Sequence, residues 1–363
     1  MTASAQPFSD GTAAPDLARV EVIAPNFKKR LSGVTSTIVQ LVPLQAKAIG
    51  IATLGPGLPD FLPKLRWWQV FGLWRRSASG RKRIWHARRN VEMIGGIVLR
   101  HVLRMPLHLL FTSAAQRDHR PFTKRLIRRM EAVIATSARS GSFLEVPHTV
   151  VMHGVDLDAF HPARTPDDEF AAAGLPGKYA VGCFGRVRAQ KGTDLFVEAM
   201  IALLPTRPDW TAVITGRVTV EHQNFANDLK RRIAAAGLEK RILFLGEVPD
   251  IKLWYRRVSL YVAPSRNEGF GLTPLEAMAS ATPVVASDAG AYAEMIVEDR
   301  TGSVVPAGDG AALTAAVARY LDDPAVARAH GRNGLAHVHD AFALQREADA
   351  IQRVYEQIWA RRG

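Results

Sequence analysis

The chain has 363 residues, of which 47% are hydrophobic and 22% are charged, and its 28 glycines and 21 prolines follow no repeat. This composition excludes disordered, collagen-like and coiled-coil proteins, and at roughly 150 residues per domain the length predicts two globular domains. The net charge of +13 is uneven, since residues 1–165 hold 24 basic and 10 acidic side chains whereas the remainder holds 23 and 24. The first domain is therefore expected to face an anionic partner, such as a phosphorylated substrate, a membrane surface or nucleic acid.

The first 17 residues are polar and small and lack the basic and apolar regions of a secretory signal, so we expect a disordered lead-in. An N-terminal domain is predicted over 18–165. Its predicted strands cover 18–25, 49–55, 108–113, 132–137 and 149–154, and its predicted helices cover 34–48 and 121–131. No stretch has the about 18 uninterrupted apolar residues that a membrane-spanning helix requires.

A polar, proline-bearing linker near 160–177 leads into a second domain, predicted over 166–340. Predicted strands at 179–185, 211–216, 242–246, 260–265 and 283–287 alternate with helices at 193–204, 224–236, 250–257 and 274–280. Short strands that are apolar on both faces and separated by helices indicate a parallel sheet covered on both sides. A helix in 341–363 is expected to pack back on the N-terminal domain. The predicted fold class is α/β, with two Rossmann-like domains whose parallel sheets face across a ligand-binding cleft.

The segment SRNEGFGLTPLEAMA, residues 265–279, has the strongest chemical pattern in the chain. A glycine-rich loop precedes a helix in which Thr273 is the expected N-cap, so the backbone N–H groups of 271–273 are predicted to converge on a phosphate. Glu268 and Glu276 flank this loop and could hold hydroxyl groups on either side of a diphosphate. The alternative is structural: Glu276 completes a capping box with Thr273, and Glu268 is a solvated loop residue.

This E-x7-E arrangement resembles the retaining nucleotide-sugar glycosyltransferases of family 4 type, which have the two-Rossmann-domain GT-B fold and use GDP-mannose or UDP-sugars. The resemblance covers nearly all of 20–360 and is strongest over 149–305. It implies that Glu268 touches the donor sugar and that Glu276 holds the ribose hydroxyls. Gly269, Phe270 and Gly271 would line the sugar pocket, and Leu272 and Thr273 would continue the donor site.

The segment GCFGRVRAQKGTDLFVEAM (182–200) looks like the family's basic diphosphate clamp, which assigns Arg186 and Lys191 to the phosphates. Further matches are HGVDLDAFHP (153–162), ITGR with Gly216, FLGEVP with Val248 as the base contact, and ASDAGAYAEMI (286–296). Gly33 occupies the position of the family's acceptor-side glycine loop, although an ordinary strand-to-helix turn accounts for it nearly as well.

One position departs from the family pattern, because Ser113 or Ala114 stands where many relatives have a histidine. The catalytic group of the first domain is left open, with Arg117, Asp118 and His119 as candidates. No metal site is expected. Asp156 and Asp158 spell the D-x-D metal motif of another glycosyltransferase fold, but they lie in the family's interdomain turn, which favours a structural role.

Residues 64–104 hold 11 basic residues and one acidic residue, Glu92, with tryptophans and phenylalanines interleaved. This pattern fits a solvated helix face, a nucleic-acid surface or a membrane-interface patch. In a glycosyltransferase it favours a membrane or a lipid-linked acceptor.

The opening block and the segment FTSAAQRDHRPFTKRLIRRM (111–130) look more narrowly like the rhizobial-type lipopolysaccharide core mannosyltransferases. That resemblance implies a GDP-mannose donor, a Kdo-bearing lipid A acceptor and a peripheral position on the cytoplasmic face of the inner membrane, without a cofactor, a metal or a nucleic-acid partner. The alternatives are a UDP-hexose donor with another lipid-linked or polysaccharide acceptor, a nucleotide-sugar epimerase, and a basic nucleic-acid-binding protein.

Overall fold

The computed structural model describes residues 14–29 and 33–361, apart from the side chain of Val34. The chain divides into two compact units: His153–Ala343 form one, and the residues up to Met152 together with those from Leu344 onward form the other. Most of the predicted lead-in, 1–13, lies outside the described residues. Its last part is ordered, because the Asp16 side chain accepts a hydrogen bond from Ala18 N at 2.9 Å and starts a short 3₁₀ turn.

The predicted boundaries at 165/166 and 340/341 differ from the observed divisions at 152/153 and 343/344. Residues 153–165 belong to the second unit because they are tied to it at two points. Val155 N donates to Phe342 O at 2.8 Å, and the ring of Phe160 packs edge-on against Tyr255, with the centroids 5.8 Å apart. The polar, proline-bearing sequence is therefore a loop within the second unit.

Seven strands of the first unit form a parallel sheet in the order β3-β2-β1-β4-β5-β6-β7 within the described residues. They are β1 (Val22–Pro25), β2 (Ile51–Leu54), β3 (Lys64–Leu65), β4 (Arg83–Ala87), β5 (Leu107–Ser113), β6 (Ala132–Ala135) and β7 (Thr149–Val150). Alternate residues pack into different cores, since Val22 and Ala24 join one hydrophobic cluster whereas Ile23 joins the other. The sheet is thus buried on both faces.

Six strands of the second unit repeat the same topology, in the order β10-β9-β8-β11-β12-β13. They are β8 (Tyr179–Phe184), β9 (Trp210–Thr215), β10 (Ile242–Gly246), β11 (Leu260–Ala263), β12 (Val284–Ser287) and β13 (Gly302–Val305). Every observed pairing is parallel. The direction of winding reverses between β8 and β11, which is where doubly wound sheets bind ligands. The predicted α/β class with two Rossmann-like parallel sheets is confirmed.

Helices cover both sheets. They are α1 (Gly33–Gln45), α2 (Asn90–Ile97), α3 (Pro121–Ile127), α4 (Ala138–Gly141), α5 (Thr193–Leu203), α6 (Gln223–Ala235), α7 (Ile251–Arg257), α8 (Thr273–Ala279), α9 (Tyr292–Met295), α10 (Gly310–Asp322), α11 (Pro324–Ala341) and α12 (Leu344–Ala360). The last helix, α12, belongs to the first unit, where Ile351, Val354 and Ile358 join the core and Tyr355 OH lies 2.8 Å from His86 Nδ1. Among the described helices, none has both the length and the apolarity needed to cross a bilayer.

Strand β4 is the main element that sequence analysis does not predict. It lies in the middle of the first sheet although it begins with Arg83, whose side chain is almost fully buried. Burial lowers the pKa of this guanidinium. The buried charge is tolerated because it donates to backbone carbonyls, with Nε 2.9 Å from Val20 O and Nη2 2.9 Å from Leu17 O. A basic sequence therefore forms a central strand.

Candidate active site

Two loops meet at the point where the second sheet reverses its winding. One follows β8 and carries Arg186 and Lys191; the other follows β11 and carries Glu268. The loops are joined directly, because Arg266 N donates to Gln190 O at 2.9 Å. The Arg266 guanidinium also makes two 2.7 Å hydrogen bonds to the carboxylate of Asp194, at the start of α5. A pocket opens between them, lined by Gly185, Arg186, Lys191, Thr193, Ser265, Thr273 and Tyr292 among others.

The loop after β8 depends on glycines. Gly185 has a φ of +134°, and Gly192 has a φ of +70° and approaches Pro264 so closely that a Cβ would lie 1.9 Å from its carbonyl oxygen. Gly216, at the end of β9, has a φ of +129°, and its Cβ would lie 2.0 Å from Gly185 O. Side chains at the last two positions would displace backbone. Gly216 therefore acts by supporting the loop that bears Arg186.

Arg186 and Lys191 differ in their surroundings. Arg186 is exposed, and no hydrogen bond or ion pair holds it within the described part of the chain. Lys191 Nζ instead forms a close ion pair with Glu268 Oε2, and both side chains are largely shielded, with about a fifth of each exposed (22% and 18%). With respect to the described residues, the pocket therefore has a guanidinium without a hydrogen-bonding partner and an ammonium group beside a carboxylate.

Glu268 is held by three donors. Besides Lys191, its Oε1 accepts from Gly269 N at 3.1 Å, and its Oε2 accepts from Tyr292 OH at 3.4 Å. Tyr292 is fully buried, and burial raises the pKa of its hydroxyl, so the group remains protonated and able to donate. The alternative reading of Glu268 as a solvated loop residue is wrong.

Glu276 lies on α8 with its Oε2 2.8 Å from Tyr255 OH, which donates to it. Burial raises the pKa of the Glu276 carboxyl, while the Tyr255 hydrogen bond and the charge of Lys191 act in the opposite direction. The capping-box alternative is wrong. Leu272 is the N-cap, and Thr273 is the first helical residue, with its Oγ1 3.4 Å from Tyr292 OH.

Residues 269–273 fold into a tight turn. Gly271 has a φ of +84°, and a Cβ there would lie 2.3 Å from the ring of Tyr292. Phe270 is buried with its ring edge-on to His153 at a centroid distance of 4.7 Å, and Phe270 O accepts from Ala291 N at 3.1 Å. The backbone N–H groups of Gly271, Leu272 and Thr273 donate no hydrogen bond to any described residue. They remain available to an anion, as such turns allow.

Val248, the predicted base contact, lies half-buried in the loop between β10 and α7. Gly33 is the first residue of α1 and does not have a positive φ, and a Cβ there would meet no atom within 4 Å. This residue therefore needs no glycine-specific conformation. The residues before it, 30–32, at which the sequence predicts a tight turn, lie outside the described residues.

The open candidates of the first unit follow strand β5. His119 Nε2 lies 3.1 Å from Ser113 Oγ, and Asp118 Oδ1 lies 3.5 Å from Lys124 Nζ, while Arg117 is exposed. Burial, followed by the charge of Lys124, lowers the pKa of His119. Ser113, one of the two candidates for the family's histidine position, is thus in contact with a histidine from the following loop.

Asp156 and Asp158 form a turn. Asp156 Oδ1 accepts from Asp158 N at 3.0 Å and from Ala159 N at 3.1 Å, which matches the structural reading. In the described residues, no three histidine, cysteine, aspartate or glutamate side chains are grouped so as to hold a metal ion. The absence of a metal requirement stays a prediction.

Three residues that hold the glutamates are not among the predicted ones: Tyr255, Tyr292 and Gly290. A Cβ on Gly290, which has a φ of +64°, would lie 2.6 Å from Gly269 O and 3.0 Å from Glu268 Cβ, so this glycine supports the loop that carries Glu268. Gly290 and Tyr292 lie in ASDAGAYAEMI, a segment that resembles the family without any single residue being assigned a role. This motif could therefore have pointed to both residues. No sequence signal marks Tyr255, which acts through a tertiary contact.

Comparisons with known proteins show to which family this chain belongs. The family model described as Glycosyl transferases group 1 matches residues 178–323, which hold both loops. The chain is 70% identical over 345 residues to the lipopolysaccharide core biosynthesis mannosyltransferase LpcC of Rhizobium leguminosarum bv. viciae, over 95% of this chain and 98% of that protein. It is 54% identical over 348 residues to the enzyme of the same description, LpsB, of Rhizobium meliloti (strain 1021), over 94% and 99% of the two chains.

Among solved structures, Anabaena Alr3699/HepE in complex with UDP has a TM-score of 0.79 at 18% identity, over 93% of this chain and 100% of that one, which is a likeness of fold. Two doubly wound parallel sheets and this switch-point site define a GT-B glycosyltransferase. The chain belongs to the glycosyl transferases group 1 family, and the resemblance to rhizobial lipopolysaccharide core mannosyltransferases that the sequence indicates is confirmed.

Proposed function

We propose that this enzyme is a retaining mannosyltransferase that transfers mannose from GDP-mannose to a Kdo residue of the lipopolysaccharide inner core. The names of the two relatives above support the sugar and the pathway. The observation that carries the proposal is the contact of Lys191 with Glu268 beside the free Arg186, because it joins a phosphate-binding cation to a hydroxyl-binding carboxylate.

In the proposed donor complex, Arg186 and Lys191 bind the diphosphate, helped by the free N–H groups of 271–273. Glu268 orients the sugar hydroxyls, and Glu276 fixes the ribose hydroxyls. Tyr292 and Tyr255 keep these two carboxylates in place through the hydrogen bonds described above. Val248 contacts the base through its backbone. A nucleotide-sugar donor and a glycan acceptor are what membership of the family implies.

In the proposed reaction, the bond between the anomeric carbon and the diphosphate oxygen breaks, and the acceptor oxygen bonds to the same face of that carbon. The proton of the acceptor hydroxyl passes to the departing phosphate. Negative charge grows on the diphosphate as the bond breaks, and the cations Arg186 and Lys191 offset it. In this scheme the reaction requires no cofactor and no metal.

The proposed acceptor is an anionic glycan on a Kdo-lipid A type molecule. The positive charge of residues 1–165 supports this choice, because carboxylate and phosphate groups would be attracted to it. Such an acceptor places the enzyme peripherally on the cytoplasmic face of the inner membrane. Nucleic acid is not part of this proposal.

The test is mass-spectrometric detection of hexose transfer in the presence of EDTA, with a Kdo-terminated lipid A acceptor and GDP-mannose, UDP-glucose, UDP-galactose or UDP-N-acetylglucosamine. Transfer from GDP-mannose alone is expected. Transfer only from a UDP-sugar would overturn the mannosyltransferase proposal and keep the enzyme class. Loss of transfer with EDTA, restored by a divalent cation, would overturn metal independence.

Two further measurements complete the test. Conversion of the donor without any acceptor would indicate an epimerase. The configuration of the new linkage tests retention and is read by NMR from the one-bond coupling between the anomeric carbon and its proton. An inverted product would contradict the proposed mechanism.

A further inference from the structure

The first unit has an unusually apolar surface. Fourteen large hydrophobic side chains are exposed in the described residues, and nine of them lie between 67 and 103. They are Trp67, Trp68, Phe71 and Trp74 on a 3₁₀ segment, and Val91, Ile94, Val98, Val102 and Leu103 on α2 and the π-helical turn that continues it. We name these nine residues the apolar face. Scattered exposed apolar residues are ordinary, but a concentration of this kind marks an interaction surface.

The two segments lie side by side. Trp74 Nε1 donates to Leu103 O at 2.7 Å, which joins their C-terminal ends. Near the other end, the ring of Phe27 lies 5.7 Å from that of Trp67, and a Cβ on Gly95 would lie 3.1 Å from the Phe27 ring. The exposed residues therefore form one surface.

Among the described residues, none covers the outer side of the helical part of this surface. Val91, Ile94, Val98 and Val102 recur at intervals of three and four residues, so they share one side of the helix. The opposite side is buried, since Met93 is fully inaccessible and a Cβ on Gly96 would lie 2.6 Å from the Trp85 ring. An amphipathic helix thus packs its inner side on the core and leaves an apolar side in solvent.

The exposed charged residues that flank these segments in the sequence are arginines. Arg66 precedes the 3₁₀ segment, Arg75 and Arg76 follow it, and Arg104 follows the π-helical turn; all four are exposed. Glu92, the acidic residue of this stretch, is fully buried and pairs with Arg89 at 2.9 Å. The surface therefore combines exposed aromatic and aliphatic groups with arginines at its edges.

We infer that the apolar face and its four arginines dock this enzyme on an anionic lipid bilayer. Tryptophan and phenylalanine rings and aliphatic side chains are stable at the boundary of headgroups and acyl chains, and arginines at the same depth reach lipid phosphates. This inference rests on the proposed function for its membrane location and adds the surface that makes the contact.

Other occupants fit less well. In a two-fold dimer the same patch would face itself, which would bring the arginines of both copies together. Nucleic acid would attract the arginines, but it offers nothing to the aliphatic row of the helix, because bases stack on aromatic rings. The test below detects dimerisation and nucleic-acid binding as separate outcomes.

The test uses the full chain and vesicles of phosphatidylethanolamine and phosphatidylglycerol at 3:1, with phosphatidylcholine vesicles as the uncharged reference. Binding is measured by co-sedimentation without donor or acceptor. We expect binding to the anionic vesicles that weakens as salt is raised. The double variant Trp68→Ser/Val102→Ser should bind about tenfold or more weakly, because both side chains are exposed and would enter the boundary region.

The matched controls are the single variants Val102→Ser and Val220→Ser. Both remove an exposed valine, but Val220 lies in the second unit. Only the first should weaken vesicle binding. Circular dichroism checks that each variant folds, and transfer to a deacylated, water-soluble Kdo oligosaccharide should be unchanged in all of them.

Equal binding of the double variant and the original chain, or no binding to anionic vesicles, would overturn the inference. So would concentration-dependent dimerisation or nucleic-acid binding that these same substitutions abolish. Vesicle binding is read without any substrate, so an enzyme that binds vesicles but transfers no mannose would refute the proposed function and leave this surface intact.

Discussion

Lys191 and Glu268, 77 residues apart in the sequence, form an ion pair at the switch point of the second sheet. The pair links the loop after β8 to the loop after β11 and leaves little of either side chain exposed. The proposed phosphate-binding ammonium and the proposed hydroxyl-binding carboxylate are therefore in direct contact in this structure. If both act in the reaction, each holds the other in position for it.

The first prediction concerns this pair. Glu268→Gln should lower kcat by about 100-fold or more, because the carboxylate is proposed to orient the transferred sugar. The thermal midpoint should stay close to that of the original chain. Glu221→Gln, at an exposed site, is the control and should transfer normally. Near-normal turnover of the Glu268 variant would remove this residue from the site.

Lys191→Met should also lower kcat, by roughly 100-fold, because the developing charge of the diphosphate would lose one of its two cations. Arg186→Met should lower kcat as well, because Arg186 is the second of these cations. Steady-state kinetics at saturating GDP-mannose measure kcat for both variants. Lys178→Met, at an exposed lysine, provides the charge-matched control. Equal effects of Lys191→Met and Lys178→Met would contradict the assignment.

Tyr292→Phe removes the hydroxyl that contacts both Glu268 and Thr273 and leaves the ring in place. We expect kcat to fall about tenfold with little change in KM, because a charge-bearing hydrogen bond is worth roughly 1.5–3 kcal/mol and this one positions the carboxylate. Tyr179→Phe serves as control, since its ring packs on Trp210 outside the site. A purely structural role would instead lower the thermal midpoint and leave kcat unchanged in the folded fraction.

Protonation of the Glu276 carboxyl should lower kcat/KM on the acidic side of its pH profile. Burial raises the pKa of this carboxyl, so falling pH neutralises it earlier than an ordinary glutamate, and donor binding through the ribose hydroxyls should weaken on this acidic limb. The hydrogen bond from Tyr255 lowers this pKa. Tyr255→Phe should therefore move the acidic limb of kcat/KM to higher pH. A limb that stays in place would show that another group controls it.

Gly216 should tolerate no side chain. Its φ is +129°, and a Cβ would lie 2.0 Å from the carbonyl oxygen of Gly185, so Gly216→Ala would strain its own backbone and displace the loop that carries Arg186. Gly237→Ala measures the cost of the positive φ alone, because the φ of Gly237 is +68° and a Cβ there would meet nothing within 4 Å. We expect about 1–2 kcal/mol of destabilisation at Gly237 and more at Gly216, with loss of donor binding only at Gly216. Urea unfolding and donor titration measure both.

Asp168 should make the second unit sensitive to acid. The backbone N–H of Arg164, followed by the Arg256 guanidinium at 2.7 Å and the Thr165 N–H, lowers the pKa of this carboxyl to about 2 from 3.8. A lowered folded-state pKa contributes stability above the unfolded value, and that contribution is lost as pH falls from about 4 to about 2. Asp168→Asn should be less stable at pH 7 but should lose less stability over that acid range. Parallel acid-unfolding curves would contradict this.

The sequence predicts the fold well wherever the local residue pattern agrees with the element that forms. Apolar runs separated by helical segments identified most strands of both sheets to within a few residues, and the fold class followed from them. Strand β4 is not predicted because its first residue is an arginine. Burial of that arginine is possible only because backbone carbonyls of residues 17–20 and around Arg75 accept its hydrogen bonds. The assignment of residues 153–165 to the second unit is not predicted either, because it depends on tertiary contacts with Phe342 and Tyr255.

By itself, the sequence determined the family, the two glutamates and the two basic residues of the candidate site, because these are carried by short motifs with fixed spacing. The tertiary structure decided what those residues touch. It brought Lys191 onto Glu268, placed Tyr292 and Tyr255 against the two carboxylates, and gathered tryptophans and aliphatic residues into one face. Such contacts join residues that are distant in the chain, and burial and hydrogen bonding between them arise only once the sheet has been assembled.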